Sequence, residues 1–121
     1  MAETEVADLS ELSVVEQDAF ALTQAGILMD QAREDPKELA AALDHNIEVW
    51  IAIRVMVTNR YNDNPLPQLV RENLVRLSDY VAGTTFKHGV KMPDHILATL
   101  ININFQIAQG LLEGEKVGKN I

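Results

Sequence analysis

The sequence predicts an all-α protein, a compact bundle of about four helices that pack mostly antiparallel. Three observations lead to this fold class. Apolar residues recur every three or four positions in four separate stretches, helix-start signals precede several of them, and turn-forming residues separate them. We expect one helical domain over residues 13–114, a flexible acidic arm at 1–12 and a C-terminal tail at 115–121.

Length and charge narrow the class of protein further. A chain of 121 residues can bury one core without metal or disulfide help, and the absence of cysteine excludes disulfides and thiolate chemistry. The first 35 residues hold nine acids and one base, whereas the remainder holds nine of each. The acidic start lacks a secretory signal, so we expect a cytoplasmic protein. The uncharged stretch 95–112 contains four asparagines and glutamines, which argues against a membrane span.

The first helix should begin after Ser13, because Ser13 and Glu16 have the spacing of a capping box. Its inward stripe through about Glu34 consists of Val14, Val15, Ala21, Leu22, Ala25, Leu28, Met29 and Ala32.

The second helix should span residues 35–59, with Asp35 as its cap and Pro36 at its first position. Its stripe is Leu39, Leu43, Asn46, Ile47, Trp50, Ile53 and Val57. A strand is the competing interpretation, because β-branched residues alternate from Ile47 to Val57. We favour the helix, since no turn signal separates this run from the cap at Asp35.

A connection rich in turn formers at residues 61–67 leads to a third helix over about 67–86. Its inward residues are Leu66, Val70, Asn73, Leu74, Leu77 and Val81. A loop at residues 87–92 follows, and Pro93 opens a fourth helix that nears its end at Gly110. The stripe of that helix is Leu97, Leu100, Ile101, Asn104, Ile107, Ala108 and Leu111. We expect Leu43, Trp50, Leu77, Leu100 and Ile107 to share one core.

One asparagine lies within each of three stripes: Asn46, Asn73 and Asn104. We expect all three to be largely buried, so each must find a hydrogen-bond partner. Either they fix the register of the helices, which we favour, or they form a ligand site.

No catalytic, metal or cofactor site is expected. The three histidines, His45, His88 and His95, lack the spacing of common metal sites, and there is no glycine-rich phosphate loop. Neighbouring acids at Asp44 and Asp94 point about 100° away from their histidines on a helix. The sequence therefore favours a non-enzyme.

A second apolar face on the first helix is the candidate partner-binding site. Phe20 and Ile27 lie off the inward stripe and, being seven residues apart, on one side of the helix. Glu16, Asp30 and Glu34 could form an acidic rim around them. Burial of both apolar residues within the same domain is the alternative.

At these elements the chain resembles the FlaF family of bacterial flagellar biosynthesis regulators. The resemblance covers about residues 13–112. It rests on Ala42, Leu43, Asn46 and Trp50, on residues 64–67 (NPLP), on 71–78 (RENLVRLS) with Val81 and Thr85, on 101–104 (ININ) and on 107–111 (IAQGL).

The resemblance implies a small cytoplasmic non-enzyme that binds flagellin and supports its synthesis and export, as a secretion chaperone or regulator. In such systems a separate regulator, FlbT, acts on flagellin translation and is a second possible partner. The alternative function is direct action on flagellin messenger RNA. The acidic N-terminal third disfavours it, because such a segment repels phosphate and no basic stripe appears elsewhere.

Overall fold

A computed structural model describes residues 12–58 and 66–119 of the chain. These residues form four α-helices, α1 Val14–Gln31, α2 Pro36–Thr58, α3 Gln68–His88 and α4 Asp94–Lys119, and one 3-10 turn, Gly89–Lys91. The predicted all-α fold is confirmed. The alternating β-branched run from Ile47 to Val57 is helical, and the described residues contain no strand. The proposed acidic arm, apart from Leu12, and residues 61–65 of the predicted connection lie outside the described residues.

Local side-chain caps explain where the first two helices begin. The Glu16 backbone N–H donates to Ser13 Oγ at 3.0 Å, and the Ser13 N–H donates to Glu16 Oε1 at 3.1 Å, which completes the predicted capping box. Asp35 Oδ1 accepts from the backbone N–H groups of Lys37 at 3.0 Å and Glu38 at 3.3 Å. Each cap satisfies N–H groups that have no partner within the helix.

The helices pack antiparallel, as their cross-helix contacts show. In the α1–α4 pair Leu22 meets Asn104 and Arg33 meets Asp94, so positions rise along one helix as they fall along the other. In the α2–α3 pair Ile47 and Phe86 line one groove, while Arg54 donates to Ser78 and Asp79 further along, so these helices also run antiparallel. α1 packs on α4 and α2, whereas α3 packs on α2 and the 3-10 turn and hardly approaches α1 or α4. α3 is therefore a peripheral helix.

One continuous core lies among the helices. Leu43, Trp50 and Leu100 are buried in it, while Leu77 and Ile107 are half-buried and pack against it. α3 contributes only a narrow buried stripe, Leu74, Ser78 and Val81, because it has one main neighbour.

Two helices run further than the sequence predicts. α3 continues to His88, and Gly89, with φ of 53°, ends it in the left-handed region that favours glycine. α4 continues through Gly110 to Lys119, beyond the expected domain end at residue 114. A glycine costs a helix interior about 1 kcal/mol, which weakens the helix without breaking it when no proline follows. Burial of Leu111 anchors α4 just past Gly110.

Candidate protein-docking surface

Four polar groups form a hydrogen-bonded network at the centre of the bundle. Asn104 Oδ1 accepts from the Trp50 indole N–H at 3.0 Å. Asn104 Nδ2 donates to the Leu22 carbonyl oxygen at 3.0 Å and to Asn46 Oδ1 at 2.7 Å. Both asparagines have no exposed surface, so a ligand has no access to them. The network joins α1, α2 and α4, which supports a role in fixing helix register rather than in binding a ligand.

The expectation that the third asparagine, Asn73, is buried was wrong. Asn73 lies on α3 and is exposed. Its side chain falls outside the narrow stripe that α3 presents to α2, where the adjacent Leu74 takes the inward position. A helix with one main neighbour buries a smaller part of its circumference than a helix at the centre of a bundle, so the stripe predicted from spacing alone was too wide.

The expected second face of α1 is accessible. Phe20 is 49% exposed and Ile27 is 45% exposed, and we call these two residues the α1 strip. The opposite side of α1 supplies the core through Val15, Leu22 and Met29. Among the described residues nothing covers the α1 strip, so burial within the domain is not what the structure shows.

The acids near the α1 strip differ in how free they are to meet a partner. Glu16 is engaged in the capping box, and Asp30 Oδ1 accepts from Arg33 Nε at 2.8 Å. Arg33 also donates to both carboxylate oxygens of Asp94 at 3.0 Å, so it partly neutralises the rim. Glu34 is exposed. Sequence reasoning missed Arg33 because its second partner is 61 residues away.

α4 extends the apolar surface beside the α1 strip. Phe105 is 36% exposed, and its ring covers Gly26, where an added Cβ would lie 2.6 Å from Phe105 Cε1. Phe105 and Leu112 line a groove of about 360 Å³ together with Thr23, Ala108, Gln109 and Glu113. Thr23 lies between Phe20 and Ile27 on α1, so the groove adjoins the α1 strip. The sequence signal was Gly26, a glycine inside a helix, which marks a close approach.

The described residues contain no group of three or more side chains suited to hold a metal ion. His45 and His88 are half-buried on different helices, and His95 is exposed at the start of α4. None of the described helices is long and apolar enough to cross a membrane. Burial raises the pKa of the Asp18 carboxyl above its ordinary value of 3.8, and its Oδ2 atom is buried without a hydrogen-bond partner.

Comparison with known proteins gives one match. The family model described as flagellar protein FlaF matches residues 4–111. The match begins before the capping box, so it takes in residues for which the sequence resemblance gave no counterpart. No curated protein and no solved structure matches the chain.

Proposed function

Because this chain belongs to the FlaF family of flagellar proteins, we propose that it binds flagellin in the cytoplasm and supports flagellin synthesis and export. The observation that carries the proposal is the exposure of the α1 strip beside the Phe105 groove. Together these residues offer a partly apolar surface on two packed helices. Such a surface suits an amphipathic helical segment, which lays its apolar face into a groove between helices.

Within this surface Phe20 is the expected anchor. Aromatic side chains that become desolvated at an interface contribute a large share of binding energy, and Ile27 adds apolar area two turns away. The exposed Glu34 acts mainly on orientation and association rate, as rim charges do. Asp30 and Glu16 contribute less, because each already has a partner within the chain.

The test is the double variant Phe20→Ser with Ile27→Ser, assayed for thermal stability and for co-purification with flagellin. Because both residues are about half exposed, we expect the fold to be retained and flagellin to be lost. The matched control is Leu69→Ser with Tyr80→Ser, which removes two exposed apolar side chains from α3. Flagellin that stays bound to the first variant, or is lost equally from the control, would remove the α1 strip as its site.

The same purified proteins also test the alternative function, binding to flagellin messenger RNA, and the second possible partner, FlbT. Direct action on flagellin messenger RNA requires tight, salt-sensitive binding to the transcript in a mobility-shift assay at low salt. We expect no shift, because the chain carries a net charge of −8. Co-purification with FlbT in place of flagellin would assign the α1 strip to that regulator instead.

A further inference from the structure

A second apolar surface lies between α2 and the C-terminal end of α3. It is a groove of about 480 Å³ lined by Ala40, Leu43, Asp44, Ile47, Glu48, Thr85, Phe86, Gly89 and Val90, and we call it the α2–α3 groove. It shares no lining residue with the α1 strip or with the Phe105 groove. The two surfaces can therefore be considered separately.

Phe86 is the most unusual residue of this groove. Its side chain is 86% exposed although it is a large aromatic group, and Val90 beside it is 42% exposed. Along α2, Ile47 is followed at four-residue intervals by Ile51 and Val55, which are 56% and 65% exposed. Residues four apart lie on one helix face, so these side chains continue the apolar floor along α2. Contiguous exposed apolar surface of this kind marks interaction sites.

The charged residues that line the groove are of one sign. The two charged residues that line it, Asp44 and Glu48, are both acidic and exposed, and neither forms an ion pair with a described residue. Lys87 and Lys91 follow Phe86 and Val90 in sequence but do not line the groove. An occupant of this groove is thus favoured by basic groups beside its apolar side chains.

These features disfavour two other candidate occupants, the N-terminal segment of the chain and a second copy of it. The N-terminal residues 1–11 carry four acids and no base, so they would add like charges to Asp44 and Glu48. A second copy meeting groove to groove by two-fold symmetry would bring the same acids of both molecules towards one another. Both arrangements place unpaired carboxylates together, which disfavours them.

We propose that the α2–α3 groove binds an amphipathic helix of a second protein whose apolar stripe is flanked by lysine or arginine. Phe86 and Val90 contact the apolar stripe of the bound helix from α3, and Ile47 and Ile51 contact it from α2. Asp44 and Glu48 form ion pairs with the basic residues that flank the stripe. The surface is independent of flagellin binding at the α1 strip. The chain would then hold two partners on separate surfaces.

The probe is a synthetic helical peptide of roughly five turns, about 18 residues, with a leucine stripe flanked by lysines. A second peptide replaces each lysine with glutamate. Fluorescence anisotropy measures the affinity of each labelled peptide for the full chain. We expect the lysine peptide to bind and the glutamate peptide to bind at least tenfold more weakly.

Four variants locate the binding site of the peptide. Phe86→Ser should weaken binding of the lysine peptide at least tenfold, whereas Leu69→Ser, which removes an exposed apolar side chain outside the groove, should not. The double variant Asp44→Lys with Glu48→Lys should reverse the preference between the peptides. Glu38→Lys with Glu72→Lys makes the same change in net charge at exposed positions outside both proposed docking surfaces and should leave the preference in place. Circular dichroism checks that each variant is folded.

Several results would overturn the proposal. Equal affinity for both peptides, or equal loss in the two charge-reversal variants, would mean that the peptide senses only the net charge of the protein. A change in sedimentation on Phe86→Ser without peptide would identify a second copy as the occupant. Shifts of the amide resonances of residues 1–11 in that variant would identify the N-terminal segment.

Discussion

Replacing Asn104 with leucine should be among the most damaging single changes in this protein. The substitution removes three hydrogen bonds, to Trp50, Leu22 and Asn46. It leaves the Trp50 indole N–H and Asn46 Oδ1 buried without partners. Each buried polar group without a partner costs about 1 to 3 kcal/mol, so the free energy of unfolding should fall by about 2 to 6 kcal/mol. That is a large share of the roughly 5 to 15 kcal/mol that stabilises a typical domain.

The matched change, Asn46→Leu, should cost far less because of how the amides are oriented. The indole N–H of Trp50 only donates and the Leu22 carbonyl only accepts, so together they fix which way Asn104 points. Asn46 must then present its oxygen, and its Nδ2 is buried without a partner. Asn46→Leu leaves one Nδ2 proton of Asn104 without an acceptor, but it also removes Asn46 Nδ2, which is already buried without a partner. These effects oppose one another, and the net change should stay within about 1 kcal/mol.

Urea titration followed by circular dichroism measures both free energies without relying on Trp50 as the reporter. The slope with denaturant should be unchanged in both variants, so that the midpoints report stability alone. A cost for Asn46→Leu equal to that of Asn104→Leu would refute the assigned amide orientation. A cost below about 1 kcal/mol for Asn104→Leu would mean that the network contributes little to stability.

Three further substitutions test the packing and the electrostatics. Gly26→Ala should lower the free energy of unfolding by at least about 1 kcal/mol relative to Gly83→Ala. The new Cβ at residue 26 would lie 2.6 Å from the Phe105 ring, whereas a Cβ at Gly83 would have nothing within 4 Å. Equal unfolding midpoints for the two variants would contradict this prediction. Trp50→Ala should cost about 3 to 5 kcal/mol, and a loss under 1 kcal/mol would place Trp50 outside the core. Burial raises the folded-state pKa of Asp18 above the unfolded value, so this carboxyl destabilises the fold increasingly as pH rises from about 3.8 through the folded-state pKa. Asp18→Asn should therefore raise the melting temperature at pH 7, by an amount that shrinks towards pH 4, and a constant gain across this range would exclude titration as the cause.

Features set by neighbouring residues could be predicted from the sequence, and features set by distant ones could not. The caps at Ser13 and Asp35 form within four residues of chain, so their residue types were sufficient. The exposed side of α1 was predicted as a possibility because Phe20 lies outside a stripe that already fills the core.

The exposure of Asn73 could not be foreseen, because it depends on how many helices surround α3. Periodicity shows which residues share a face but not how much of that face a neighbour covers. The position of Phe105 over Gly26 likewise depends on the α1–α4 approach, which joins residues far apart in sequence. The α2–α3 groove likewise joins residues far apart in sequence, such as Ile47 and Phe86, so it depends on how α3 packs on α2.

The peripheral position of α3 implies that the bundle does not open as one unit. Because α3 buries only Leu74, Ser78 and Val81 in its interior, its amide protons should exchange with solvent through local opening, well before those of α1, α2 and α4. A helix seated in the α2–α3 groove would bridge α3 to the body of the protein. Binding would then slow exchange along α3 by a factor that grows with the ratio of partner concentration to dissociation constant. Hydrogen exchange along α3 would thus report the occupancy of the α2–α3 groove.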